Sequence, residues 1–292
     1  MLKLTKIKRL PNKIKREFLQ LPPIQSLSER AYQKIVEKHS DYLPPISPAD
    51  STLLNSLQEE GVLVTTLEAL AIPSTDLFTE AAKKLLFQLQ ALPTIGKDVV
   101  ILSNSQIASY PEIILWGVEE RLINIIENYI EMPVRYYGAG VRREIANGKM
   151  IDVRQWHRDI EDRRMVKIII YLNDVNIEGG PFEYISKPLT LSSSQTLKYN
   201  SGFVSDRDMK SVVSISDWKP CTGPSGTVVF ADTSNVFHRA KAPVALDRFS
   251  ITYTYTSIKP IASRASNFGS TISQEQWQTI TDRLNPRQKE CF

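Results

Sequence analysis

Histidine is nearly absent from this chain: among 292 residues only His39, His157 and His238 occur, so imidazole chemistry is confined to three positions. Cysteine is as scarce. Cys221 and Cys291 make no disulfide framework, which fits a reducing compartment and predicts a cytoplasmic protein. No stretch approaches the ~18 consecutive apolar residues of a membrane span. The apolar residues near the start are interrupted by Lys3, Lys6, Lys8 and Arg9, so no signal-peptide core is expected. A net charge of only +4, with no Lys/Arg stripe interleaved with aromatics, argues against a nucleic-acid partner.

What remains is ordinary soluble composition, 42% hydrophobic and 23% charged, enough for a substantial core. A chain of this length is one large domain or two small ones, and all-β barrels and sandwiches reach this size as one. Residues 1–50 read as a basic, Pro-containing N-terminal extension. Its first twenty residues hold seven Lys/Arg against the single acid Glu17, the pattern of a solvated end or, less commonly, of an interaction arm or membrane-surface segment. Residues 51–292 read as a single domain in three parts: a helical layer over 51–132, a β core over 133–256, and a C-terminal helix over 273–285.

The local signals behind these bounds are specific. An N-cap at Asp50-Ser51 opens a short amphipathic helix that stops at Gly61. Helical periods run over Asp76–Gln90 and, unbroken, over Pro111–Ile130. Strands are expected at 62–64, 134–137 and 141–143, then, after a hairpin-type turn at Asn147-Gly148, at 150–160, 165–172, 182–185, 226–230 and 249–255. The Ser-, Lys- and Asp-rich stretch 186–218 reads as a long lid or an insertion near the site. Helices followed by many short strands predict an α+β protein with a double-stranded β-helix of the jelly-roll, cupin-like kind and flanking helices.

The chemistry concentrates on this β region. In Gln155-Trp156-His157-Arg158-Asp159, a His and a carboxylate stand two apart, which on a strand puts both on one face. His238 follows the apolar run Thr227–Phe230, and ten residues later come Arg248 and Ser250, again an i, i+2 pair. Two imidazoles and one carboxylate with open opposite positions are the facial triad of non-heme Fe(II) oxygenases. Arg248, Ser250 and Thr252 form a polar face alternating with apolar Phe249, Ile251 and Tyr253. Lys167 interrupts an apolar strand and needs a reason to be there; it either reaches a bound carboxylate or lies at an edge with its amine in water. Arg142, Arg143, Arg163 and Arg164 read as solvated, near enough to the site to attract an anion. Trp156 reads as a packing residue, and Tyr136, Tyr137 and Phe182 as candidate pocket walls.

The segment Trp156–Ile185, WHRDIEDRRMVKIIIYLNDVNIEGGPFEYI, resembles the phytanoyl-CoA dioxygenase-like branch of the Fe(II)/2-oxoglutarate oxygenases. The likeness is of pattern: His-x-Asp, an apolar strand, a Gly-rich turn, a second strand, then a distant His and an Arg, from about Leu53 to Tyr255. It implies iron held by His157, Asp159 and His238, and 2-oxoglutarate chelating the metal with its far carboxylate on Arg248, assisted by Ser250 and Lys167. O2 would complete the site, and the products would be succinate, CO2 and a hydroxylated small organic or carrier-bound substrate. The halogenase relatives lack the carboxylate ligand, and Asp159 is present, so hydroxylation or desaturation is the implied outcome. The chain departs from the family at Tyr184-Ile185-Ser186-Lys187-Pro188, where Pro-Gly-Ser-His is common, which detaches the best-known substrate of the family from this chain. Two other classes stand beside this one: a non-catalytic jelly-roll binding or scaffold protein, and a zinc hydrolase with Glu161 or Glu183 as its base.

Overall fold

The computed structural model describes residues 22–262 and 268–292; the basic run over residues 1–20 lies outside them. Helix α1 (Pro22–His39) and α2 (Pro48–Glu60) lead into strand β1 (Val62–Thr66), followed by α3 (Thr75–Ala91) and β2 (Val99–Ile101). The α2 cap is Ser47, not Asp50: the Asp50 amide donates to Ser47 Oγ at 3.1 Å, and Pro48 takes the first helical position, where its missing N–H costs nothing.

The helix expected over Pro111–Ile130 is two helices, α4 (Pro111–Trp116) and α5 (Glu120–Ile130). The sheet beneath explains the break. Tyr253, Tyr136 and Tyr255 hydroxyls donate to the carbonyls of Ile113, Ile114 and Gly117 at 2.8, 3.2 and 2.7 Å. Those bonds supply partners for carbonyls a helix end leaves unsatisfied. A Cβ on Gly117 would lie 2.5 Å from Tyr136 Oη, so the close approach requires glycine.

The strands that follow are β3 (Val134–Glu144), β4 (Val166–Tyr171), β5 (Phe182–Tyr184), β6 (Lys219–Cys221), β7 (Thr227–Asp232), β8 (His238–Ala240) and β9 (Arg248–Ser257). They form a six-stranded antiparallel sheet in the order β1-β7-β4-β9-β3-β2, and a three-stranded sheet β6-β5-β8. The two strands expected at 134–137 and 141–143 are one strand, with a bulge between Tyr136 and Ala139.

Alternation sorts each strand between two cores. Val166, Ile168 and Ile170 of β4, Val228 and Phe230 of β7, and Phe249, Ile251 and Tyr253 of β9 face the helices in the main core. Ile169, Tyr171, Val229 and Ala231 face the other way, packing with Phe182, Tyr184 and Cys221 of the small sheet. The protein is thus a mixed helix and antiparallel-sheet fold whose large sheet is helix-covered on one face and covered by a second sheet on the other.

Of two further expectations one is overturned, and the other is narrowed to an ordered insertion. Residues 150–160 form no strand; they hold a 3-10 turn over Asp152–Arg154 and isolated bridges at Trp156 and His157. The buried Arg154 guanidinium is the cause: it donates to Glu144 Oε2, Asn147 Oδ1, and the carbonyls of Asp98 and Ile145. That knot replaces a hairpin at Asn147-Gly148, whose amides donate instead to the Pro243 carbonyl. Residues 186–218 are no loose lid. They carry α6 (Lys187–Thr196) and a short helix over Asp206–Lys210. Val204, Met209, Val213 and Trp218 of this stretch build a third core against Trp156 and Phe237.

The C-terminal helix, α7, spans Gln274–Thr281 and opens with a Ser273–Gln276 capping box. No helix among the described residues is long and apolar enough to cross a membrane.

Candidate metal centre

His157 and His238 lie directly opposite each other in an antiparallel bridge, each amide donating to the other's carbonyl at 3.0 and 2.9 Å. Their rings stand 4.3 Å apart between centroids. Each Nδ1 lies against the carbonyl two residues before it, Gln155 at 2.9 Å and Val236 at 3.1 Å. A carbonyl only accepts, so Nδ1 carries the proton and each Nε2 keeps its lone pair for a ligand.

Asp159 joins them from the loop after His157, not from a shared strand face. Its amide donates to the Thr233 carbonyl at 2.8 Å. Its Oδ1 lies 4.0 Å from His157 Nε2 and its Oδ2 3.9 Å from His238 Nε2. The three donor atoms fall within 4.8 Å of one another.

The electrostatics favour the ligating state of all three. Burial pushes the His157 imidazole below its usual range and that of His238 further, with the neighbouring imidazole adding to the effect on His238. Both are therefore neutral at neutral pH. Burial works to raise the Asp159 carboxyl, but Lys167 and the two imidazoles outweigh it and hold the group far below the ordinary carboxylate range. Two neutral imidazoles and one ionised carboxylate, with Nε2 lone pairs converging, are the donor set a non-heme iron takes.

Lys167 is neither at an edge nor in water: its Nζ lies 2.5 Å from Asp159 Oδ2. Arg248 and Ser250 are buried, 4% and 2% exposed, and line with the three ligand candidates a cavity of about 470 Å³ between the sheets. Arg248 does not pair with Asp247, which binds Arg143 at 2.6 Å. Among the described residues, Arg248 Nη1 is buried without a hydrogen-bond partner, and burial lowers the pKa of its guanidinium. A desolvated donor of this kind is costly unless a ligand satisfies it.

Of the candidate walls, Tyr137 and Phe182 line this cavity, whereas Tyr136 sits in the main core. The four arginines read as solvated are engaged. Arg143 binds Asp247, Arg163 binds Glu29 at 3.0 Å and stacks over Tyr32, Arg164 binds Glu131 at 2.7 Å, and Arg142 lines the cavity.

Sequence reading missed Arg239. It is buried behind His238 between Trp156 and Trp218, at 4.3 and 5.1 Å from their rings, and ion-paired with Glu183 at 2.5 Å. That pair, with Lys241 at 3.3 Å on the other Glu183 oxygen, occupies a carboxylate considered as a hydrolytic base. Trp156 is a packing residue, edge-on to Trp218.

No protein-family model and no curated protein matches the sequence. Solved structures do match in fold. The crystal structure of EctD from S. alaskensis with bound Fe aligns with a TM-score of 0.51 and 16% identity, covering 77% of this chain and 83% of that one. The apo form of the same protein gives 0.50 and 17% over the same shares. The chain thus has the fold of EctD, a protein whose crystal structure holds bound Fe.

Proposed function

We propose that this protein is an Fe(II)- and 2-oxoglutarate-dependent dioxygenase that hydroxylates a small organic or carrier-bound substrate, releasing succinate and CO2. The observation that carries this reading is the paired His157 and His238 with Asp159 in one cavity with the buried, unsatisfied Arg248. The iron-bound state of EctD, a protein of the same fold, supports the choice of metal. In this reading the two sheets are the halves of a double-stranded β-helix, and residues 51–292 act as one catalytic domain with 1–50 as an extension. Two free, buried cysteines suit a cytoplasmic enzyme.

His157, Asp159 and His238 would hold the metal, which would supply the oxygen chemistry. The chain's own residues do the rest. The Gln155 and Val236 carbonyls fix both imidazole tautomers, so no proton must leave before ligation. Lys167, with its Nζ 2.5 Å from Asp159 Oδ2, would keep that carboxylate ionised and oriented for ligation. Arg248 takes the far carboxylate of 2-oxoglutarate as a planar fork, and Ser250, two residues on along the same face, adds a hydroxyl. Phe182 stacks on His238 at 5.5 Å, and Phe203 stands edge-on to His157 at 5.4 Å, which orients both rings.

The test is anaerobic titration of purified protein with Fe(II) and 2-oxoglutarate, following the visible charge-transfer band of the chelate. The band is expected in wild type and absent in His238→Ala. A well-folded wild-type protein with no band overturns the reading.

A further inference from the structure

We propose that Arg142 is the anchor for a carboxylate on the primary substrate, so that the enzyme acts on small organic acids and not on neutral or cationic molecules. The inference rests on the oxygenase reading and adds the substrate class to it. Across the cavity face of the large sheet, β3, β9 and β4 set Arg142, Ser250 and Tyr171 side by side in register. The next inward position along β3 is Gly140, opposite Thr252, where a Cβ would meet only the Thr252 carbonyl at 3.9 Å. In that row, shared with Thr252 and Ile169, Gly140 contributes no side chain, which leaves open space directly beside the Arg142 guanidinium.

Charge points the same way. The charged residues lining the cavity are Arg142, Lys167 and Arg248 against Asp159 and Glu161. A metal dication and a dianionic co-substrate cancel each other, which leaves the excess cation of the lining uncompensated. Lys167 is already on Asp159, and Arg248 is taken by the co-substrate. Arg142 has only a distant claim on a carboxylate: its Nη1 lies 3.4 Å from Glu144 Oε1, while Glu144 Oε2 receives Arg154 Nε and Nη2 at 3.1 and 3.0 Å. Among the described residues, Arg142 Nε is buried with no hydrogen-bond partner. A second guanidinium facing the same cavity with an unmet donor is the complement of a second carboxylate.

The experiment uses the full chain loaded anaerobically with Fe(II) and 2-oxoglutarate, and pairs of small acids with their primary amides: benzoate and benzamide, hexanoate and hexanamide, phenylacetate and phenylacetamide. Binding is read as a rise in melting temperature and a shift of the charge-transfer band, in wild type, Arg142→Met and Arg142→Lys. The expected result is binding of acids and not of their amides, weakened about tenfold or more in Arg142→Met and partly restored in Arg142→Lys. The affinity for 2-oxoglutarate is expected to change by less than about twofold in Arg142→Met. No binding by any acid, equal binding of acids and amides, or acid binding indifferent to Arg142→Met overturns the proposal. So does a loss of 2-oxoglutarate affinity in Arg142→Met matching that in Arg248→Met, which would put Arg142 on the co-substrate. Absence of the band in wild type is a separate outcome, the failure of the oxygenase reading.

Discussion

An Arg248→Met substitution is expected to stabilise the ligand-free protein while nearly abolishing its affinity for 2-oxoglutarate. The guanidinium is buried, its Nη1 has no hydrogen-bond partner among the described residues, and its carboxylate neighbour across the strands, Glu144, is engaged by Arg154. A buried donor left unsatisfied costs about 1–3 kcal/mol, and an apolar side chain of similar length removes that cost. For a domain of this size each kcal/mol moves the midpoint by about 2–4 °C, so the apo melting temperature is expected to rise by roughly 2–12 °C. Loss of a buried, charge-paired contact to a ligand carboxylate costs about 2–5 kcal/mol, or roughly 30- to several-thousand-fold in Kd. Scanning calorimetry with and without 2-oxoglutarate and a divalent metal reads both quantities. A lower apo melting temperature together with undiminished co-substrate stabilisation would refute the reasoning, because it would make Arg248 a satisfied structural group.

Acidification should destabilise the apo protein, and the sign follows from the two imidazoles. Both titrate below their unfolded value near pH 6.5, so the unfolded chain binds more protons and stability falls as pH drops below about 6.5, by up to about 1.4 kcal/mol per pH unit for each histidine. Urea unfolding at pH 7.5, 6.5 and 5.5 measures the slope, and saturating metal should steepen it, since ligation demands neutral rings. Glu183→Ala should cost about 1–3 kcal/mol, since the buried Arg239 loses one of its two carboxylates and keeps Asp206, and an apolar replacement of Glu183 and Arg239 together should recover part of that in chemical denaturation. Gly117→Ala should cost about 1–3 kcal/mol through overpacking against Tyr136 and Tyr253, with the metal site unchanged by titration. Cys221 and Cys291 are buried, their thiols pushed up by burial, Cys291 to about 11. Both should resist iodoacetamide in the native state and react on unfolding.

Strands and helices whose apolar residues keep one period were legible, because burial on one face is a local demand. The β9 alternation is the clearest case: Phe249, Ile251 and Tyr253 went to the helix side, and Arg248, Ser250 and Thr252 to the cavity. What sequence could not show was where tertiary hydrogen bonds override the period. The stripe over 111–130 is continuous, yet three tyrosine hydroxyls from 136, 253 and 255 end the helix in its middle. Likewise Asn147-Gly148 has hairpin chemistry, but Arg154, only seven residues on, gathers five acceptors and folds the segment into a knot.

The candidate site divides along the same line. Rare residue types in a fixed order pointed to His157, Asp159, His238 and Arg248, since three histidines leave little to choose among. The common cations were opaque for the opposite reason: Arg142 and Arg143 are adjacent and chemically identical, and only strand register decides their fates. The register puts Arg143 beside Phe249, where it caps the ring at 5.3 Å and binds Asp247, and turns Arg142 onto the cavity beside Ser250. A one-residue slip would exchange them, and with them the charge of the pocket. The bulge between Tyr136 and Ala139 is the feature that sets this phase, so the electrostatics of the site rest on a backbone irregularity marked in the sequence by a single residue, Gly138, which takes φ 86° there.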